Sequence, residues 1–279
     1  MTAIEVSDLS KTFQRGKRAL NSVSLKIEEG EMVALIGASG SGKSTLLRHL
    51  SGLVNADKGP GRISILGKVM QQNGRIGKDA RSMRSNIGVV FQQFNLVRRL
   101  TVLTNVLMGL LGAVPAWRGT LGLFTIDEKL KAMNALQRVG IVDQAGKRAS
   151  NLSGGQQQRA AIARALTQGA KILLADEPIA SLDPSSAKKV MKTLRRINEE
   201  DAITVLVSLH QVDYALDFCS RTIAMRDGEV VFDGPSKQLT PAFLKELYGD
   251  DSIDLISDKR RKAFKKKIAK ESDLSLVAG

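Results

Sequence analysis

Five consecutive apolar residues, Met32-Val33-Ala34-Leu35-Ile36, run without interruption into Gly37-Ala38-Ser39-Gly40-Ser41-Gly42-Lys43-Ser44. This junction limits the possible folds more than any other segment of the chain. A strand with no polar alternation is covered on both faces, as in the middle of a layered sheet. Lys43 to Leu50 reads as a helix, so the backbone passes from strand to helix through a glycine-rich loop. Glycines let such a loop curl until several amide N–H groups point inward. The helix that follows adds its positive N-terminal end.

Gly-x-x-x-x-Gly-Lys-Ser in this setting suits a phosphate chain. The backbone of Gly37, Ala38, Ser39, Gly40, Ser41, Gly42, Lys43, Ser44 and Thr45 forms the cradle. Lys43 reaches the outer phosphates, and the Ser44 hydroxyl ligates magnesium. A second apolar strand, Lys171-Ile172-Leu173-Leu174-Ala175, ends on Asp176-Glu177. Carboxylates at the C-terminal edge of such a strand lie where ligands sit in open α/β sheets. Asp176 is expected to hold magnesium, and Glu177 to orient and deprotonate an attacking water.

The rest of the chain fits an α/β body. Ile4-Glu5-Val6 and Val23-Ser24-Leu25-Lys26-Ile27 alternate as half-buried strands, and Ile87-Gly88-Val89-Val90 and Ile203 to Val207 are further apolar runs. Asp183-Pro184 opens a helix, Asp227-Gly228 marks a hairpin turn, and Thr240-Pro241 starts a last helix ending near Tyr248. From about residue 96 to 166 the spacing is helical, which predicts a helical subdomain inserted into the strand-rich body. The domain then runs over residues 1–248, and residues 249–279 form a polar, basic tail. Eight of the twelve residues from Lys259 to Lys270 are basic, within a net charge of +14. Such a run reads first as a solvated tail. Contact with an anionic leaflet or docking onto the body are further readings.

Composition excludes other classes. The lone cysteine, Cys219, rules out an internal disulfide and fits a reducing compartment. The start, Met1-Thr2-Ala3-Ile4-Glu5, carries no secretory pattern. The longest apolar stretch, Val106 to Trp117, is too short to span a bilayer and contains Pro115. Any membrane role therefore needs a partner that supplies the spans.

Between the loop and the acidic strand lies Leu152-Ser153-Gly154-Gly155-Gln156. Together with the loop and Asp176-Glu177, it resembles the ATP-binding cassette family over roughly Ile4 to Gly249. The resemblance implies a RecA-like P-loop NTPase fold: a mixed sheet core, an inserted helical subdomain and an N-terminal antiparallel β region. ATP and magnesium would be its cofactors. Ser153, Gly154, Gly155 and Gln156 of one subunit would cover the γ-phosphate held in the other's loop, so that ATP joins a homodimer. Gln92 would touch magnesium and the attacking water. His210 would donate a hydrogen bond to the γ-phosphate, and Phe13 would stack on the adenine. Ala180 to Asp183 would cross the dimer interface, with Asp183 near the nucleotide. His49 reads as a structural residue of the first helix.

A finer likeness is to the ATP-binding subunit of phosphonate importers. It rests on Ile179 and Ser181 in Asp176 to Pro184, on Trp117-Arg118 with Leu121-Gly122-Leu123-Phe124, on Val212-Asp213-Tyr214-Ala215, and on Leu244 to Gly249. That resemblance implies membrane permease subunits as partners, gripped by the surface from Gln92 to Arg118. A solute-binding protein would act indirectly, and no nucleic acid is expected. The place of work would be the cytoplasmic face of the inner membrane. Other solutes (phosphate, polar amino acids, methionine) and a cytosolic regulatory or nucleic-acid-binding ATPase are the alternatives.

Overall fold

The structure is a computed structural model that describes residues 1–13 and 16–249. The basic run Lys259 to Lys270 lies outside the described residues. Two sheets carry the fold. The strands are β1 (Thr2–Thr12), β2 (Arg18–Glu28), β3 (Met32–Ile36), β4 (Arg62–Ile65), β5 (Lys68–Gln72), β6 (Arg75–Ile76), β7 (Ile87–Val90), β8 (Ile172–Ala175), β9 (Thr204–Ser208), β10 (Arg221–Arg226) and β11 (Glu229–Pro235). The helices are α1 (Lys43–Leu50), α2 (Ala80–Arg84), α3 (Val102–Leu107), α4 (Ala116–Leu121), α5 (Ile126–Arg138), α6 (Gly154–Gln168), α7 (Pro184–Asp201), α8 (Val212–Phe218) and α9 (Pro241–Tyr248).

An antiparallel sheet has the order β2-β1-β4-β5-β6, and a second sheet the order β11-β10-β3-β9-β8-β7. In the second, β10, β3, β9, β8 and β7 pair in parallel, and β11 closes one edge antiparallel. β3 is central, and all five of its residues are buried. Its alternation divides the core in two. Met32, Ala34 and Ile36 face a cluster built with α3, α5, α6, α7 and α9. Val33 and Leu35 face a cluster built with α1 and the antiparallel sheet. The continuous apolar run is thus explained by two covered faces, each needing aliphatic side chains.

The structure extends and corrects the sequence reading. β1 and β2 are far longer than the three- and five-residue segments expected, because register shifts along their pairing break the simple alternation. β4, β5 and β6 were not anticipated. The signal for the last turn is present: Asn73 and Gly74 both have positive φ, 52° and 74°, as an Asn-Gly hairpin requires. The same geometry occurs at Asp227-Gly228, where a hairpin was expected. The helices after residue 96 pack into the same core cluster as one face of β3. α6 runs past the expected boundary to Gln168, and its Ala161, Ile162 and Ala165 belong to the same core cluster as β3.

Candidate functional site

β3, β9 and β8 are neighbours, and their C-terminal ends bring the loop, His210 and the acidic pair to one edge of the sheet. The loop holds its shape through glycine. Gly37 has φ 148°, and a Cβ there would lie 2.2 Å from the Met225 carbonyl oxygen. Gly42 has φ 106°, and its Cβ would lie 2.5 Å from the Ala19 carbonyl oxygen. Any side chain at either position forces backbone apart. Gly42 also stands at the N-cap of α1 without a side-chain cap, so the first amides of this helix take no side-chain oxygen.

Lys43 is buried. Its Nζ donates to the carbonyls of Gly37 (2.7 Å) and Ala38 (3.1 Å). Burial pushes its ammonium below the ordinary lysine range, while Glu177 and Asp176 pull it back up. The Ser41 hydroxyl is buried with no hydrogen-bond partner among the described residues. A curled loop, a buried cation and an unpartnered hydroxyl fit a phosphate chain.

Asp176 Oδ1 is the meeting point of the site. It accepts the Ser44 hydroxyl at 3.0 Å and the Ser208 hydroxyl at 2.9 Å. Hydroxyl and carboxylate oxygens are the donors that magnesium prefers, with phosphate completing its shell. Glu177 has φ 46°, a conformation that side chains rarely adopt, and its N–H donates to Ser208 Oγ at 2.8 Å. Glu177, Ser208 and His210 line one cavity of about 190 Å³. His210 is exposed, with its ring centroid 6.3 Å from that of Tyr248.

Other expected residues stand apart. Gln92 is exposed in the turn after β7, and no hydrogen bond joins it to Ser44 or Asp176. Phe13 is 44% exposed, not core, and Lys11 Nζ lies 5.7 Å from its ring centroid. Ser153 is the exposed N-cap of α6 in a capping box: its Oγ accepts from the Gln156 N–H (3.4 Å), and Gln156 Oε1 accepts from the Ser153 N–H (2.9 Å). Gly154 and Gly155 form the first turn, and no hydrogen bond ties Ser153 to Gln156 to the phosphate loop of the same chain. Asp183 caps α7, accepting from the Ser186 N–H (3.0 Å) and the Ser185 hydroxyl (2.7 Å). Hydrogen bonds from Ser186 and Ser185 hold its carboxyl well below the usual range, so the carboxylate is committed to its own helix. His49 is buried with Nδ1 2.7 Å from the Thr45 carbonyl, the structural role expected.

Two residues escaped the sequence reading. Ser208 gave a signal, a polar residue within Val205-Leu206-Val207-Ser208-Leu209. Tyr248 gave none that spacing reveals. Its hydroxyl accepts the Gly37 N–H at 2.9 Å, and an Arg226–Glu246 ion pair at 3.0 Å ties α9 to β10. Burial raises the Tyr248 phenol above the ordinary tyrosine range.

Known proteins resemble this chain in sequence and in fold. The family model described as ABC transporter matches residues 20–180. The phosphonates import ATP-binding protein PhnC of Paraburkholderia xenovorans is 60% identical over 256 residues, covering 92% of this chain and 85% of that protein. A protein of the same name from Stutzerimonas stutzeri is 58% identical, covering 94% and 95%. Among solved structures, the dimeric bacterial ABC transporter cassette MJ0796 superposes with a TM-score of 0.72 at 36% identity, covering 85% of this chain and all of that one. A post-hydrolysis dimer of the same cassette, bound to ADP and Pi, gives 0.70 at 35%. With the phosphate loop, the acidic strand end and the capped Ser-Gly-Gly helix all in place, this chain belongs to the ABC transporter family.

Proposed function

We propose that this chain is the ATP-hydrolysing subunit of a phosphonate importer, working as a homodimer beneath membrane permease subunits. The observation that carries the reading is the separation of two half-sites within one protomer. The phosphate loop and acidic pair meet at one sheet edge, whereas Ser153 and its glycine amides form no bond to that loop. A partner subunit can bring its Ser153 to the loop, and ATP is then held from both sides. Ser44 and Asp176 hold magnesium, which neutralises phosphate charge. Lys43 binds the outer phosphates, Glu177 takes the proton from the attacking water, and His210 donates to the γ-phosphate. Gln92 enters only when its turn moves inward, and Phe13 offers a ring face to the base. Closure favours the ATP-bound pair because ATP has more contacts there, and that difference drives the permease.

The relatives named for phosphonate import support the choice of solute. An open cleft of about 900 Å³, lined by Lys78, Arg81, Met108, Leu111 and Arg164, suits a cytoplasmic helix of the permease. It uses only part of the surface from Gln92 to Arg118 and adds residues on either side. No helix among the described residues is long and apolar enough to cross a membrane, so the spans come from the permease. The working place is the cytoplasmic face of the inner membrane.

The test uses Glu177→Gln, which is expected to bind ATP, lose nearly all turnover and dimerise with ATP in light scattering. A variant that stays monomeric at every ATP concentration sinks the closure argument. In proteoliposomes with the permease, binding protein loaded with a phosphonate is expected to stimulate ATPase activity. Equal stimulation by phosphate removes the assignment of solute.

A further inference from the structure

Ser208 is the last residue of β9 and is fully buried. A serine hydroxyl has one hydrogen to give and lone pairs to accept with. Here the hydrogen goes to Asp176 Oδ1 at 2.9 Å, and a lone pair takes the Glu177 N–H at 2.8 Å. One oxygen therefore touches both members of the acidic pair. Pairing between β8 and β9 runs in register up to Ala175 and Val207. Asp176 and Ser208 are the next residues on each strand, and there the backbone ladder stops. The Asp176 N–H turns the other way, to the Val90 carbonyl at 2.8 Å. At Glu177 the backbone enters the left-handed region, φ 46°. A non-glycine residue held there costs about 1 kcal/mol or more and persists only when its surroundings fix it. Ser208 supplies that fixing bond: its side chain stands in for the missing rung of the ladder. The same bond pair aims the Asp176 carboxylate, since Oδ1 is shared between Ser208 and Ser44.

We infer that Ser208 is a positioning residue for ATP hydrolysis. It locks the direction of the Asp176 carboxylate and the backbone turn that presents Glu177, so that metal ligand and base keep one relative geometry. This rests on the roles given to Asp176 and Glu177 above. Ser208 itself exchanges no proton with substrate. An alanine leaves the Glu177 N–H without its acceptor and Asp176 with one donor fewer.

The test compares Ser208→Ala with Ser208→Thr, which keeps the hydroxyl. Ser208→Ala is expected to lower kcat about 10- to 100-fold, the scale of a small misplacement of catalytic groups. ATP affinity in EDTA stays within about twofold, because the loop and Lys43 are untouched. The gain in ATP affinity on adding magnesium shrinks. In nucleotide-free, metal-free protein, amide exchange over residues 176–180 accelerates, while α1 exchanges as in wild type. Ser208→Thr restores both kcat and protection. If the added methyl of threonine unfolds the protein, the alanine variant is read alone against wild type. Wild-type kcat and unchanged exchange in Ser208→Ala overturn the inference. Glu177→Gln, assayed alongside, separates the two failures. Full turnover there removes the base, whatever Ser208 does.

Discussion

The phosphate loop and the Leu152 to Gln156 segment are both glycine-rich, and both open a helix, yet they treat the helix end oppositely. α1 begins at Gly42 with no side-chain cap. α6 begins at Ser153 with a complete capping box. The first four amides of any helix lack partners within it. At α1 these donors take no side-chain oxygen, and a buried lysine stands beside them. At α6 two of them are satisfied by Ser153 and Gln156, which leaves the serine proton and the Gly154 and Gly155 amides for an outside partner. On the proposed reading, the first end depends on an anion. The second is a capped helix that, on the same reading, lends its remaining donors to the partner subunit's nucleotide.

The contrast can be broken most sharply at Lys43. Lys43→Ala removes a cation with two or more charge-assisted hydrogen bonds, each typically worth about 1.5–3 kcal/mol, so ATP affinity is expected to fall about 1,000-fold. Titration with a fluorescent ATP analogue measures this, and a loss under tenfold denies the loop its dominance. Ser153→Ala is the second test. Turnover is expected to fall about 100-fold, as for loss of one donor to transition-state charge. ATP binding by the isolated monomer stays unchanged, and removal of the cap lowers helix stability by about 1 kcal/mol. Weakened binding in the monomer places Ser153 in the wrong half of the site.

The smallest effect concerns pH. Burial lowers the His49 pKa from its ordinary value near 6.5. The unfolded chain then binds a proton that the folded chain refuses, so stability is complete above about pH 6.5 and falls as pH drops towards the folded value. Because His49 is bonded to Thr45 in α1, acid is expected to loosen the phosphate half before α6. Hydrogen exchange at pH 7.5 and 5.5, in wild type and His49→Gln, checks the order. Equal loosening of both helices in wild type ends the distinction.

Particular residues show what could be read in advance. The strand into Gly37, the acidic end of β8, the Asp183-Pro184 start of α7 and the Asp227-Gly228 turn were all legible. Each is a local signal in which side-chain chemistry and backbone geometry act within a few residues. β4 to β6 were missed because short strands give little periodicity, although Asn73-Gly74 marked their last turn. Ser208 and Tyr248 were missed for a different reason: they bond to residues 31 to 32 and 211 positions away in the chain.

Order along the chain by itself determined the chemistry available: a phosphate cradle, a lysine, a pair of carboxylates and a second glycine-rich helix start. It did so because each depends on contiguous backbone. Only tertiary packing decided that Ser44, Asp176 and Ser208 share one oxygen, that Tyr248 reaches the Gly37 amide, and that Ser153 caps its own helix away from the loop. Those outcomes follow from which strands lie side by side, and sheet order is set by burying two aliphatic clusters, not by any local run of residues.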